Sequence, residues 1–297
     1  MRFSIVLLLA SLVFSTSFSQ QKGKARKPGY PPQIESTSSH IYKTAGEVEL
    51  KLWRFASADG RKEEKRPAIV FFFGGGWKAG SPNQFVPHSE HLAEKGMVAF
   101  VADYRVSSRH GTLAKDCVED ARDAMRYIRS HAAELGVDPE RLAAGGGSAG
   151  GHIAACLGVI EADPESRPNA LALFNPACVL APLDGKNPWP EDRHEELKER
   201  MGVEPEALSP AHHVGDAEPP AVIFHGKADT MVPYETAKAF HEKMIAAGNE
   251  STLHGYEGEP HGFFNFGRES KVSDQPAYDR ILPQLDAFFA SLGWIEK

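Results

Sequence analysis

The amino-acid sequence predicts an α/β protein, with a mostly parallel central sheet of about eight strands, helices on both faces and one small cap insertion. Three observations carry this. Short runs of uninterrupted apolar residues recur, as strands buried on both faces require. Amphipathic stretches at helical spacing separate them, a rhythm that favours parallel pairing. The rhythm breaks once, between Cys178 and Ala217, where proline and charge replace it.

In chain order, Val48 to Phe55 has extended character. "AIVFFF", starting at Ala68, is the first buried run and ends in three glycines, and "MVAFVADY" from Met97 is the second. The stretch from Cys117 to Leu135 puts Val118, Ala121, Met125 and Ile128 on one helical face, with charges between them. "RLAAGG" from Arg141 is a short strand that leads into the helix "HIAACLGVI". "ALALFN", "PPAVIFHG" and "STLHGYEG" supply further strands, and the stretches beginning at Tyr234 and Ala277 supply further helices. Glycines close several of these helices, as C-caps do. Within 178–217 only Glu195 to Met201 reads as helix. So long a connection in a compact domain is expected to be a binding element or lid, so this segment is assigned as the cap.

The N-terminus has Arg2, an apolar run from Ile5 to Phe14, and Ser17 and Ser19 before Gln20. This is the pattern of a secretory signal peptide over residues 1–19. The run is short for a membrane span, which needs about 20 residues. No cysteine follows it to carry a lipid. A secreted or periplasmic protein without a stable membrane anchor is expected. Residues 20–39 are Lys-, Arg-, Pro- and Ser-rich, read as a flexible leader, and 40–297 as a single domain. A net charge of −7 argues against nucleic acid, which needs a basic surface. The chain has only three cysteines, Cys117, Cys156 and Cys178, too few for a disulfide-stapled domain. Cys156 and Cys178 could pair, or all three could be buried thiols.

Gly146-Gly147-Ser148-Ala149-Gly150 fits G-x-S-x-G at a strand-to-helix junction. A serine hydroxyl is a poor nucleophile and must be presented to a base and to a carbonyl at once. A sharp turn does this, and small neighbours relieve the crowding. No Lys-Ser/Thr pair follows the glycines, so a phosphate-binding P-loop fails. Ala149, opening the next helix, is expected to offer one N–H to a developing oxyanion, and Gly75 and Gly76 of "FFFGGGW" two more. Asp229, after the strand at Ala221 to Phe224, is the expected acid. His261, after the strand candidate Ser251 to Tyr256, is the expected base. His88 and His91, with Glu90, are spaced to share a helix face and hint at metal, but H-E-x-x-H is absent and no third ligand is evident.

Gly74–Trp77, Gly146–Gly150 with Gly151-His152, Asp229 with Val232-Pro233, and His261-Gly262 together resemble the α/β-hydrolase fold esterases and lipases over nearly the whole chain after residue 19. The resemblance is to the secreted acetyl xylan and feruloyl esterase-like and the hormone-sensitive-lipase-like groups. In those families a histidine usually precedes the glycines and braces their loop, whereas here Phe73 stands in its place. The resemblance implies a serine ester hydrolase that needs no cofactor and no metal. Ser148 would attack, His261 would shuttle the proton, and Asp229 would orient the imidazole. Trp77, Trp189 and Phe263 are the candidate substrate contacts. The expected partner is a small-molecule or polysaccharide-linked ester, such as an acetyl or feruloyl group on a carbohydrate. Amide hydrolysis on the same triad stays open, as does a binding module that has lost catalysis.

Overall fold

The computed structural model describes residues 30–57, 65–160, 163–190 and 193–296. The chain divides into Met1–Pro32 and Gln33–Lys297, and the described strands and helices all lie in the second unit. The expected signal peptide, and the leader up to residue 29, lie outside the described residues.

The elements are β1 (Ser38–Ala45), β2 (Val48–Phe55), β3 (Arg66–Phe72), α1 (Val86–Glu94), β4 (Val98–Ala102), α2 (Ser107–His110), α3 (Ala114–Ser130), α4 (Ala132–Leu135), β5 (Val137–Gly147), α5 (Ala149–Val159), β6 (Ala170–Phe174), α6 (Arg193–Met201), β7 (Ala221–Gly226), α7 (Tyr234–Ala246), β8 (Ser251–Tyr256) and α8 (Ala277–Ser291). The strands form one eight-stranded sheet in the order β1-β2-β4-β3-β5-β6-β7-β8. β1 and β2 are antiparallel to their neighbours, and the run from β4 to β8 is parallel.

Strand alternation sorts the core into two layers. Ala68, Val70 and Phe72 of β3 join the layer under α3, α5 and α7, where Met125, Ile153 and Phe240 pack. Ile69 and Phe71 point the other way, towards Leu92 of α1 and Ile281, Leu285 and Phe289 of α8. The apolar face predicted for α3 is the buried one, and Asp116 accepts from the Leu113 N–H to satisfy the helix start.

Part of the expected leader is structured. Ile34 packs on the second layer, Thr37 donates its N–H to the Arg54 carbonyl, and β1 starts at Ser38. The backbone ladder to β2 holds this edge, with Tyr42 as the one buried side chain of β1. Lys43 adds ion pairs to Asp120 (2.7 Å) and Asp123 (2.6 Å) of α3. Cys117, Cys156 and Cys178 are all free thiols in the interior.

Candidate active site

Parallel strands that end at one edge bring their following loops together there. The loops after β5, β7 and β8 each bring one of the expected side chains, Ser148, Asp229 and His261, to that edge.

Ser148 is the single residue between β5 and α5, with φ 55 and ψ −117. A non-glycine residue there is strained, and its surroundings must hold it. Its N–H donates to the Phe174 carbonyl at 2.8 Å, and its carbonyl accepts from the His152 N–H at 2.9 Å. The turn is tight enough that a Cβ on Gly150 would stand 2.0 Å from the Phe72 carbonyl oxygen. Glycine is the only residue that fits there.

His261, in the loop after β8, sits between the other two groups. Its Nε2 lies 3.0 Å from Ser148 Oγ, and its Nδ1 lies 2.6 Å from Asp229 Oδ2. A carboxylate can only accept, so Nδ1 carries the proton and Nε2 is free to accept from the serine hydroxyl. Asp229 is held on every side. Oδ2 also accepts from Asn175 Nδ2 at 2.7 Å, and Oδ1 accepts the N–H groups of Met231 (2.8 Å) and Val232 (2.9 Å). Burial raises the Asp229 carboxyl, but interaction with His225 and hydrogen bonding from His261 outweigh it and keep the group well below the usual carboxylate range. His225 also donates through Nε2 to the Val232 carbonyl at 3.0 Å.

The glycine loop after β3 borders the same cavity, of about 490 Å³, as Ser148, Ala149 and His261. Gly75 adopts φ +136, and a Cβ there would stand 2.1 Å from the Ala79 carbonyl oxygen. The support lost with the usual histidine comes from elsewhere. Phe73 stacks on Tyr104 with ring centroids 4.0 Å apart, and the Tyr104 hydroxyl donates to the Phe73 carbonyl at 2.6 Å. Gln84 accepts the Gly74 N–H at 2.6 Å and donates to Asn265 Oδ1 at 2.9 Å. Trp77 donates through Nε1 to His152 Nδ1 at 3.2 Å. That fixes the His152 tautomer, so Nε2–H donates to the Leu208 carbonyl at 2.7 Å. Burial pushes this imidazole down to about 4, so it stays neutral while it ties the 178–217 segment to α5.

Of the expected substrate contacts, Trp77 and Trp189 line the cavity. Trp189 is fixed by a 2.5 Å bond from Nε1 to the Val179 carbonyl. Phe263 does not line it. It is turned into the core against Tyr256, with centroids 4.8 Å apart, and its neighbour Phe264 takes the place at the wall. The loop's path after Gly262 sets which of the two aromatic rings faces in. The 178–217 segment places α6 at the rim, where Arg193, Glu196, Leu197 and Arg200 face the cavity.

Gln84, Tyr104, Asn175 and Asn265 escaped sequence reasoning. Only Asn175 left a signal, as a polar residue directly after the strand "ALALF" at the same sheet edge. His88 and His91 form no site together. His88 is fully buried among aromatic rings, and His91 turns to Asp286 at 2.7 Å. Among the described residues, no group of three or more His, Cys, Asp or Glu is arranged to hold a metal ion.

Residues 69–265 match the family model described as alpha/beta hydrolase fold. A thermophilic esterase from the planctomycete Thermogutta terrifontis, solved with butyrate bound, is 46% identical with a TM-score of 0.83, over 91% of this chain and 99% of that one. The same organism's esterase 2, phosphonylated by sarin, aligns with a TM-score of 0.85 at 46% identity, over 91% of this chain and 99% of that one. A probable carboxylic ester hydrolase, LipM of Mycobacterium tuberculosis, is 28% identical over 69% of this chain and 50% of its own length. The chain spans about half the length of the curated relatives it matches.

Proposed function

The chain belongs to the alpha/beta hydrolase fold family, and from that premise we propose that it is a carboxylic ester hydrolase working through Ser148, His261 and Asp229. The observation that carries the proposal is the unbroken line of contacts from hydroxyl to imidazole to carboxylate, at 3.0 Å and 2.6 Å. In this reading Ser148 Oγ attacks the ester carbonyl carbon as His261 Nε2 takes its proton. The C–O bond to the alcohol then breaks, and the imidazolium returns the proton to the leaving oxygen. Asp229, already ionised and buried, stabilises the imidazolium and keeps Nδ1 protonated. Water repeats the sequence on the acyl-enzyme and releases the acid. The N–H groups of Ala149, Gly75 and Gly76 are the proposed oxyanion donors, each worth about 2.7–4 kcal/mol of barrier in comparable sites.

The butyrate and sarin complexes of the similar Thermogutta terrifontis esterase support starting with short acyl esters. Export is proposed on the strength of Arg2 and the apolar run Ile5 to Phe14. An exported enzyme would meet acylated carbohydrate, so acetyl and feruloyl esters belong in the first substrate panel. The test is hydrolysis of p-nitrophenyl butyrate by wild type and Ser148→Ala. Wild type should turn it over, and the variant should lose nearly all activity while its circular dichroism is unchanged. A folded Ser148→Ala protein with full activity would refute Ser148 as the nucleophile.

A further inference from the structure

The cavity in front of Ser148 is cationic on a chain that is acidic overall. Lys78, Arg193, Arg200 and Arg268 line it, and among the described residues Glu196 is its one acidic lining residue. The chain carries a net charge of −7. Glu196 is shared between Arg193 (3.2 Å) and Arg200, so it balances one of the two. Among the described residues, Lys78 and Arg268 have no carboxylate within ion-pair distance. Arg268 instead donates through Nη1 to the His261 carbonyl at 2.7 Å, which places its guanidinium beside the residue that would protonate the leaving alcohol. Arg200 reaches over the glycine loop, where a Cβ on Gly76 would stand 3.0 Å from its Nη1. A Cβ on Gly74 of that loop would in turn stand 3.2 Å from Ser148 Cβ. The Arg200 and Arg268 charges therefore lie within one small substrate's length of the nucleophile, and Lys78 lines the same cavity.

The arrangement on α6 is not accidental spacing. Arg193, Glu196, Leu197 and Arg200 fall at positions i, i+3, i+4 and i+7, one face of the helix, and that face is turned to the cavity. A neutral ester gains little from such a lining, because the cations lose hydration when it binds and receive nothing in return. An anionic group receives charge-assisted hydrogen bonds, and a cleft with low-dielectric walls focuses the field that draws it in.

We infer that the preferred substrate, resting on the esterase reading, is an ester that itself carries a carboxylate a few bonds from the scissile carbonyl, held by Lys78, Arg200 and Arg268. The carboxylate could belong to the acyl half, facing Arg200 and Lys78, or to the alcohol half, facing Arg268. Two matched pairs separate these cases. Monoethyl succinate against its neutral amide, ethyl succinamate, tests the acyl half. O-acetylglycolate against O-acetylglycolamide tests the alcohol half.

At low ionic strength the anionic member of at least one pair should show kcat/KM about tenfold above its neutral partner. The advantage should fall towards unity at about 0.5 M salt, where screening acts over a few ångströms. In the Lys78→Gln/Arg200→Gln double variant, or in Arg268→Gln if the alcohol half is the anionic one, the anionic-to-neutral ratio should drop several-fold, mainly through KM. In Arg200→Glu an acyl-side preference should reverse. The neutral ester assayed on the same sample controls for misfolding, since only the ratio is read. Neutral members turned over as fast as or faster than anionic ones in both pairs at low salt would overturn the inference, as would a ratio unmoved by these substitutions. Both results leave the esterase reading standing. That reading fails separately, if no ester is hydrolysed at all.

Discussion

His88 offers a test of the interior beneath the site. Its ring is fully buried, with Tyr278 4.8 Å, Phe85 4.9 Å and Phe174 5.3 Å away between centroids. Among the described residues neither ring nitrogen has a hydrogen-bond partner. Burial, and to a lesser degree the neighbouring His91, push this imidazole down to about 3. It is therefore neutral in the folded chain, while in the unfolded chain it charges near the ordinary histidine value of about 6.5. The unfolded state takes up the proton first as pH falls, so stability that is complete above about 6.5 is lost progressively towards 3. At about pH 4.5, two units below the unfolded value, the loss is about 3 kcal/mol at roughly 1.4 kcal/mol per unit. His88→Leu keeps similar volume without the titration. At about pH 7.5 it should be more stable than wild type by about 1–3 kcal/mol, since two unpartnered buried nitrogens are removed. Urea denaturation followed by tryptophan fluorescence, at about pH 7.5 and 4.5, should show wild type losing about 3 kcal/mol more than the variant between the two. Parallel losses would refute the description of His88 as a neutral imidazole sealed among aromatic rings.

Asp229→Asn should lower kcat by about 10⁴-fold with the fold retained, because an amide no longer enforces the Nδ1–H tautomer of His261; steady-state kinetics with a circular dichroism control decide it. Gln84→Ala removes the acceptor of the Gly74 N–H and the tie to Asn265. A net loss of about 1 kcal/mol of loop support should reduce kcat about fivefold with little change in KM, and an unchanged kcat would mean the loop holds its shape without that bond. Burial raises all three thiols, so Ellman's reagent should find no reactive cysteine in the native protein and three after denaturation. Fewer than three after denaturation would point to a disulfide.

The parallel strands were legible because burial on both faces leaves continuous apolar runs such as Ala68 to Phe73 and Ala170 to Phe174. The three candidate catalytic side chains were legible because each follows a strand candidate, though β8 before His261 buries only Tyr256, and because glycines crowd around Ser148. β1 was not, since seven of its eight residues are not buried and only Tyr42 is. Its place is set by a ladder to β2 and by Lys43 reaching Asp120, neither of which leaves a period in the sequence. The choice between Phe263 and Phe264 at the cavity wall depends on the path of a loop, which no propensity encodes. Gln84 and Asn265 are 181 residues apart in the chain, and only the fold makes them neighbours. The bracing of the glycine loop without its usual histidine could be read only once Phe73, Tyr104, Trp77 and His152 were in place.

The most direct test of the central claim is covalent. Wild type treated with a fluorophosphonate at neutral pH should gain the mass of one phosphonyl group, and peptide mapping should locate it on Ser148. His261→Ala should react far more slowly. Stoichiometric labelling at another residue, or none at all on folded wild-type protein, would contradict the account.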